Sequence, residues 1–598
     1  MSIAALVEDA LATLSLVAMM LLPLIEILVR RVFGRGVPGS GPIVQHLTLW
    51  VGFLGAAIAA REGKLLALAS ASLIPDGRFR HSMEAFAAAV AAAVSVILAW
   101  GGFELANVER QAGTTLGAGI PTWVAQLVLP VGFALIGIRQ VWRARGWSGR
   151  AVAAAGLLAG LVLMRTPGLL EGRPPWPLLV MIAVAGAFGT PIFVLLGGAA
   201  VFLFMADGIT PATVLIETYA LSTSPTLPAI PLFTLAGFLL AEGHASERLL
   251  RVFRAWFGWI PGGTAVVCAV LCSFFTVFTG GSGVTILALG GVLFPALIRD
   301  GYRERFSLGL MTAAGSLGLL LPPALPLILY GVVAQIPIEN LFIGGILPGI
   351  LLTSLIAAWG IREGIVAHAR RQEFDLREGV RSLWAAKWEL AMPVVVLVAM
   401  FSGLATAVEA SALIALYALV VQTVVHHDFS IRRDLLRVFT ECAVVVGGVL
   451  VILGVAVGFT NYLVGAQVPA RMLEWSQTHI SSRLMFLLAL NLFLLAVGWL
   501  MEIFAAIVVV VPLIVPLGAA FGIHPVHLGI IFIANLELGF LTPLVGINIF
   551  LASYRFRRPV LEVCRAALPM MAILGAGVLL ITYVPWLTLG LLHALGRG

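Results

Sequence analysis

Charge is what this chain has least of. Of its 598 residues, 11% are Asp, Glu, Lys or Arg, against 61% hydrophobic. Mean hydropathy is +1.06. Soluble domains carry roughly 25% charged residues. A surface this apolar cannot face water, so an integral membrane protein is expected. Cysteine is scarce too: Cys268, Cys272, Cys442 and Cys564 all lie in or beside apolar runs. They form neither a disulfide framework nor a zinc spacing, which leaves small apolar filling as their role. There is no HExxH, no P-loop and no Walker lysine, which argues against a built-in ATPase. The start, Met1 to Asp9, lacks a basic region and a small-residue cleavage site, so the first apolar run is expected to be a retained helix. A net charge of +7 would suggest nucleic acid in a soluble protein. Here the cations sit in short joints between apolar runs, as the positive-inside rule describes.

Apolar runs long enough to span occur at 10–30, 44–60, 84–106 and 121–142, with a further run at 151–164. The Pro-rich stretch from Arg165 to Pro177 reads as the main boundary. We divide the chain into a four-helix module at 1–150, a linking span and boundary at 151–177, and a larger module at 178–598. The larger module splits at the charged connector 362–387 into halves of about 178–361 and 388–598. Loop charges favour a cytoplasmic N-terminus, although Arg30, Arg31 and Arg35 vote the other way. The predicted fold is an all-α polytopic membrane protein with about sixteen transmembrane elements. Two re-entrant hairpins are expected near 268–298 and 488–519.

The larger module repeats itself. Pro295, Gly301, Gly309, Gly318 and Pro322 are spaced 6, 8, 9 and 4; Pro516, Gly522, Gly529, Gly539 and Pro543 are spaced 6, 7, 10 and 4. Gly and Pro are frequent in membrane helices, but five landmarks in near register point to a repeat of roughly 220 residues. An odd span count per half makes the repeats inverted. Both series break an apolar run, at Gly315-Ser-Leu-Gly-Leu-Leu-Leu-Pro-Pro323 and at Asn535-Leu-Glu-Leu-Gly-Phe-Leu-Thr-Pro543. Broken helices survive at membrane depth only where protein or a polar cavity receives their freed backbone. A matched pair in two halves points to a secondary transporter's binding site.

Sodium wants hard oxygens, which unwound backbone and hydroxyls supply. The joint Thr279-Gly-Gly-Ser-Gly283 closes the first hairpin opposite Gly318, and Met501-Glu502 stands opposite Gly539 and Thr542 in the repeat. The sodium candidates are Thr279, Gly281, Ser282, Gly318, Leu321, Pro323, Glu502, Gly539, Thr542 and Leu544. Gly283, Asn535 and Asn548 are the candidates for touching substrate. Close helix packing by small residues is the structural alternative. Glu409, Glu502 and Glu537 are ionisable residues inside apolar runs, where function is the default hypothesis. Glu409 opens a helix after Thr406, so it also reads as a partner of the helix dipole. Gly280-Gly-Ser-Gly283 fits the nucleophile pattern of an intramembrane serine protease, which also requires a His base at membrane depth. Most of the ten His fall in joints or at span ends.

The segments Ala313 to Pro323, Tyr330-Gly331, Ser402 to Ala410, Gly522 to Gly529, Asn535 to Pro543 and Val545 to Phe550 resemble the large membrane subunit of the TRAP (tripartite ATP-independent periplasmic) transporters. Arg31-Val-Phe33, Trp50 to Ala57, Arg61-Glu-Gly-Lys64 and Ile120-Pro-Thr-Trp123 resemble that family's small subunit. The order implies a fused permease in the bacterial inner membrane, and not an enzyme. The resemblance implies sodium-coupled import of an organic acid, delivered by an extracytoplasmic substrate-binding protein. It also implies an elevator mechanism, with Na+ as the coupling ion at the hairpin tips and broken helices. C4-dicarboxylates, keto acids, sugar acids and sulfonates all fit. The chain departs from the family pattern at Ala324, Leu544 and Leu65-Leu66. A stand-alone ion-coupled anion exchanger or efflux carrier is the alternative within transport.

Overall fold

The computed structural model describes residues 3–67, 77–480, 482–542 and 546–597. Among these residues the regular structure is helical, with only two isolated β-bridges. Twelve helices are long and apolar enough to cross a membrane, or up to fourteen if each bent pair is counted as one span. Several apolar helices are shorter, among them Trp176–Ala187, Gly263–Thr279 and Pro525–Gly539. The four cysteines are buried and free.

The chain forms two compact units by contact. One comprises Met1–Leu232, Arg433–Ala470 and Val508–Pro512. Its first helices are Ile3–Phe33, Ser40–Glu62, Arg78–Ala112, Val128–Arg143 and Gly146–Arg165. Charged side chains in these helices satisfy one another. Arg61 reaches Asp9 at 2.6 Å and Glu8 at 3.3 Å. Arg139 pairs with Glu8 and donates to the Ala57 carbonyl at 2.5 Å. Arg143 donates to the Ala60 carbonyl at 3.1 Å. The last carbonyls of a helix lack intrahelical partners and carry the negative end of its dipole, so guanidinium groups suit the end of Ser40–Glu62. Ser40–Glu62 also crosses Ile431–Gly465 at near backbone contact, where Gly55 faces the Ala443 carbonyl and Gly447 the backbone of Ala56. Such close crossings are the usual use of small residues between membrane helices.

The second unit comprises Phe233–Arg432, Arg471–Ile507 and Leu513–Gly598. Two sharp bends mark it. Ala229–Glu242 and Ala245–Phe257 meet at 76°, and Leu376–Ala385 and Lys387–Phe401 at 63°. The helix Ala245–Phe257 is tied down by Arg248, which reaches the buried Glu389 at 2.6 Å and Asp428 at 2.7 Å. Glu409 makes a capping box with Thr406: the Thr406 amide donates to Glu409 at 2.8 Å, and the Glu409 amide to the Thr406 hydroxyl at 3.3 Å. The capping box contributes about 1 kcal/mol to the stability of that helix.

Both interruptions read from the sequence are present. Glu304–Ala314 ends before irregular turns that lead to Leu325–Ala334. Pro525–Gly539 ends before a segment that leads to Ile547–Phe556. The two halves pack reciprocally. The first arm crosses to the second half, with Gly309 against the Ala566 carbonyl; the second arm crosses to the first, with Gly529 against Tyr330 and Leu341.

Candidate functional site

The first hairpin is Gly263–Thr279 followed by Ser282–Arg299. The turn between them needs Gly280 in the left-handed region, at φ +64°, and leaves Gly281 extended. A buried cluster of hydroxyls lies beside this turn. The Thr276 hydroxyl lies within hydrogen-bond distance of the Cys272 and Gly315 carbonyls, at 2.7 and 2.9 Å, and of the Thr285 hydroxyl, at 2.8 Å. Thr279 meets Thr285 at 3.3 Å and lies 3.5 Å from the Gly281 carbonyl. The Ser282 carbonyl lies beside Gly315. Thr279, Gly281 and Ser282 are therefore gathered at the start of the first interruption. Thr276 and Thr285, at the centre of the cluster, were not expected. Their signal is the run of threonines at 276, 279 and 285, one or two turns apart on either side of the glycine joint.

Gly318 is pressed against the first hairpin helix. A Cβ there would lie 2.2 Å from the Ser273 carbonyl and 2.9 Å from the Val277 amide nitrogen. Gly539 does the same in the repeat, where a Cβ would lie 2.6 Å from the Gly498 Cα. The contacts Gly318–Val277 and Gly539–Gly498 each reach 41 residues back along the chain. Each interruption thus rests on the helix that precedes it at the same repeat position. Only hydrogen fits where two backbones approach this closely.

The carbonyl candidates take part in local turns. Gly318 accepts from the Leu321 amide at 3.1 Å, and Leu321 from the Ala324 amide at 3.0 Å. A carbonyl has a second lone pair, so neither bond excludes a cation. Pro323 is buried; Leu321 and Pro322 line an apolar cavity of about 480 Å³ with Val277, Ile346 and Ile350.

In the second half, Thr542 donates to the Gly539 carbonyl at 2.6 Å. The Phe540 and Thr542 carbonyls converge on Gly546. Glu502 stands at the start of Ile503–Ala520 with one carboxylate oxygen buried and unpartnered. Leu544 lies outside the described residues.

The three substrate candidates separate into two places. Asn548, fully buried, donates across the halves to the Thr312 carbonyl at 3.3 Å and leaves its own oxygen unpartnered. Gly283 faces Leu551, one turn along the same helix. Asn535 instead donates to Asn491 at 2.7 Å and to the Ile531 carbonyl at 2.9 Å. Thr582 adds a bond to the same Asn491 oxygen at 3.1 Å. That network ties three helices together and occupies the Asn535 amide nitrogen.

The donor set is chemically specific. Among the described residues no group of three or more His, Cys, Asp or Glu could hold a metal ion. Neutral hydroxyls and carbonyls predominate instead, which suits a hard monovalent cation better than a transition metal.

Comparison with known proteins agrees with this architecture. Residues 179–587 match the tripartite ATP-independent periplasmic transporter DctM component, and residues 19–149 match the DctQ component. The isethionate TRAP transporter permease DctMQ of Oleidesulfovibrio alaskensis is 33% identical over 480 residues, covering 78% of this chain and 74% of that protein. The C4-dicarboxylate TRAP transporter large permease DctM of Pseudomonas aeruginosa is 33% identical over 67% of this chain and 94% of its own length. The sialic acid TRAP transporter large permease SiaM of Vibrio cholerae is 32% identical over 61% of this chain and 85% of its own length. With both components in one polypeptide, the chain belongs to the tripartite ATP-independent periplasmic transporters, as a fused multi-pass permease of the inner membrane and not an enzyme.

Proposed function

We propose that the chain imports a small organic acid anion, coupled to sodium and supplied by an extracytoplasmic substrate-binding protein. The observation that carries the reading is the buried oxygen cluster of Thr276, Thr279 and Thr285 with the Gly315 carbonyl at the first interruption. Sodium would be held there by hydroxyls and carbonyls of the hairpin tip, and at the second interruption by the carbonyls around Gly539 and Thr542. The positive end of the Ser282–Arg299 helix dipole lies at Gly281 to Gly283, where it favours a substrate carboxylate or sulfonate. The relatives are named for isethionate, C4-dicarboxylates and sialic acid, which are all acids. That range supports an organic anion as the cargo. In the elevator form of the mechanism the second unit's hairpin and interruptions move together as the carrier. Their mutual burial supports such a rigid body.

The test is uptake into proteoliposomes, with candidate acids and the cognate binding protein. Accumulation that needs both the sodium gradient and the binding protein supports the proposal. Uptake without the binding protein points to a stand-alone exchanger, and uptake indifferent to sodium removes the coupling ion.

A further inference from the structure

Leu321 and Pro322 of the first interruption form one wall of the cavity of about 480 Å³. Its other walls come from the helices Gly263–Thr279, Ile338–Val366 and Lys387–Phe401. Of the polar side chains there, Ser273 and Thr353 lie 3.1 Å apart, and Ser273 donates to the Ala269 carbonyl at 2.8 Å. The rest of the lining is almost wholly apolar, so water finds too few partners. A void of this size is foreign to a packed interior. Ile350 lines the cavity at the middle of the span Ile338–Val366 and is 51% exposed, so the opening faces hydrocarbon. The occupant is therefore apolar and comes from the bilayer.

The rim says which occupant. On Ile338–Val366, Trp359 and Arg362 lie beyond Ser354, the last lining residue of that helix. On Lys387–Phe401, which enters from the same connector, Trp388 and Lys387 lie before Pro393, the first lining residue. At 1.5 Å per residue, both tryptophans stand roughly 7–8 Å above the cavity and both cations roughly 9–12 Å. Arg362 stacks over Trp359 at 4.4 Å, and Lys387 over Trp384 at 3.6 Å and Trp388 at 5.1 Å. Tryptophan and cations at one height mark the headgroup level. Arg362 pairs with Glu363 at 3.0 Å, which leaves Lys387 as the cation for a headgroup. The connector 362–387 carries six cations and four carboxylates, so it belongs on the cytoplasmic face, where anionic lipids lie. The lining of Ile338–Val366, from Ile346 to Ser354, runs roughly 12 Å along the helix, close to the ~15 Å depth of one leaflet. We infer that the cavity is a phospholipid site, which takes one acyl chain of an anionic phospholipid with its phosphate at Lys387. The chain then packs against Leu321 and Pro322. The inference stands apart from the ion and substrate reading.

The experiment uses the full-length permease in phosphatidylcholine liposomes. They are doped with phosphatidylglycerol or phosphatidylcholine that carries a diazirine on one acyl chain. Labelled peptides are mapped by mass spectrometry, with the exposed apolar face of Arg483–Leu500, at Leu488 and Leu492, as the bulk-lipid reference. The phosphatidylglycerol probe is expected to label 270–278, 346–354 and 393–397 well above that reference, and about fivefold more than the phosphatidylcholine probe does. Lys387→Gln is expected to remove the difference between the probes. Ile350→Trp, which fills the opening, is expected to abolish labelling of the cavity and leave the reference unchanged. Cavity labelling no greater than the reference overturns the inference, and so does equal labelling by the two probes. Both of those outcomes are read in the wild type, so they decide the matter even if a variant does not fold.

Discussion

Replacing Thr276 by Val removes one oxygen and almost no volume. That oxygen touches the Cys272 carbonyl at 2.7 Å, Thr285 at 2.8 Å and the Gly315 carbonyl at 2.9 Å. Cys272 keeps its place in the helix, but the Gly315 carbonyl and the Thr285 hydroxyl each lose a buried partner. Leaving a buried polar group unsatisfied costs about 1–3 kcal/mol. If the same oxygens receive sodium, that loss falls on ion binding. It corresponds to about a 5- to 150-fold rise in the half-saturating sodium concentration. The assay is uptake by purified protein in proteoliposomes over a sodium series, with maximal rate and half-saturation fitted separately. Thr276→Ser restores the oxygen and is expected to restore the sodium response, which a general packing defect does not predict. Wild-type sodium half-saturation in Thr276→Val refutes the assignment of this cluster to the ion.

Three further outcomes follow from the packing and the charges. Gly318→Ala and Gly539→Ala each press a methyl into backbone, at the Ser273 carbonyl and the Gly498 Cα, and each is expected to cost about 1–3 kcal/mol, read as lower thermal stability in detergent. Arg139→Ala leaves Glu8 with Arg61 alone and removes the donor to the Ala57 carbonyl, so thermal stability is expected to drop in the purified permease; an unchanged melting temperature means the network is ornamental. Asp428 lies outside the spans. Burial pushes its carboxyl up, but hydrogen bonds and charge from Arg248 and His244 outweigh that and hold it below its ordinary value. Because its folded value is depressed, its contribution to stability is present above about pH 4 and is lost as pH falls further. A stability–pH curve of Asp428→Asn is expected to lose the part of the acid decline that Asp428 causes.

The two interruptions were legible because backbone constraints leave marks in composition. Gly318 and Gly539 could be read because close backbone approach demands glycine, and two such approaches at matched positions repeat the same residues. Thr276 and Thr285 could not. A threonine in an apolar helix usually bonds its own turn, and Thr276 also does so at Cys272; only the fold brings Gly315 to it. Asn535 shows the reverse. Its position beside an interruption invited a substrate role, but its amide partner Asn491 is 44 residues away in sequence. The bends of 76° and 63° were likewise hidden, since an apolar run next to an amphipathic one does not reveal the angle between them. Apolar runs also cannot separate full spans from short helices such as Gly263–Thr279, which is why the sixteen elements expected compare with twelve to fourteen candidates by length.

The claim beneath all of this is that the two interruptions bind sodium. Equilibrium binding of radiolabelled sodium to the purified permease, alone and with Thr276→Val and Thr542→Ala combined, addresses it directly. The wild type should bind sodium saturably, and the double variant should need a far higher concentration. Indistinguishable binding curves, or no saturable binding by the wild type, would contradict the account.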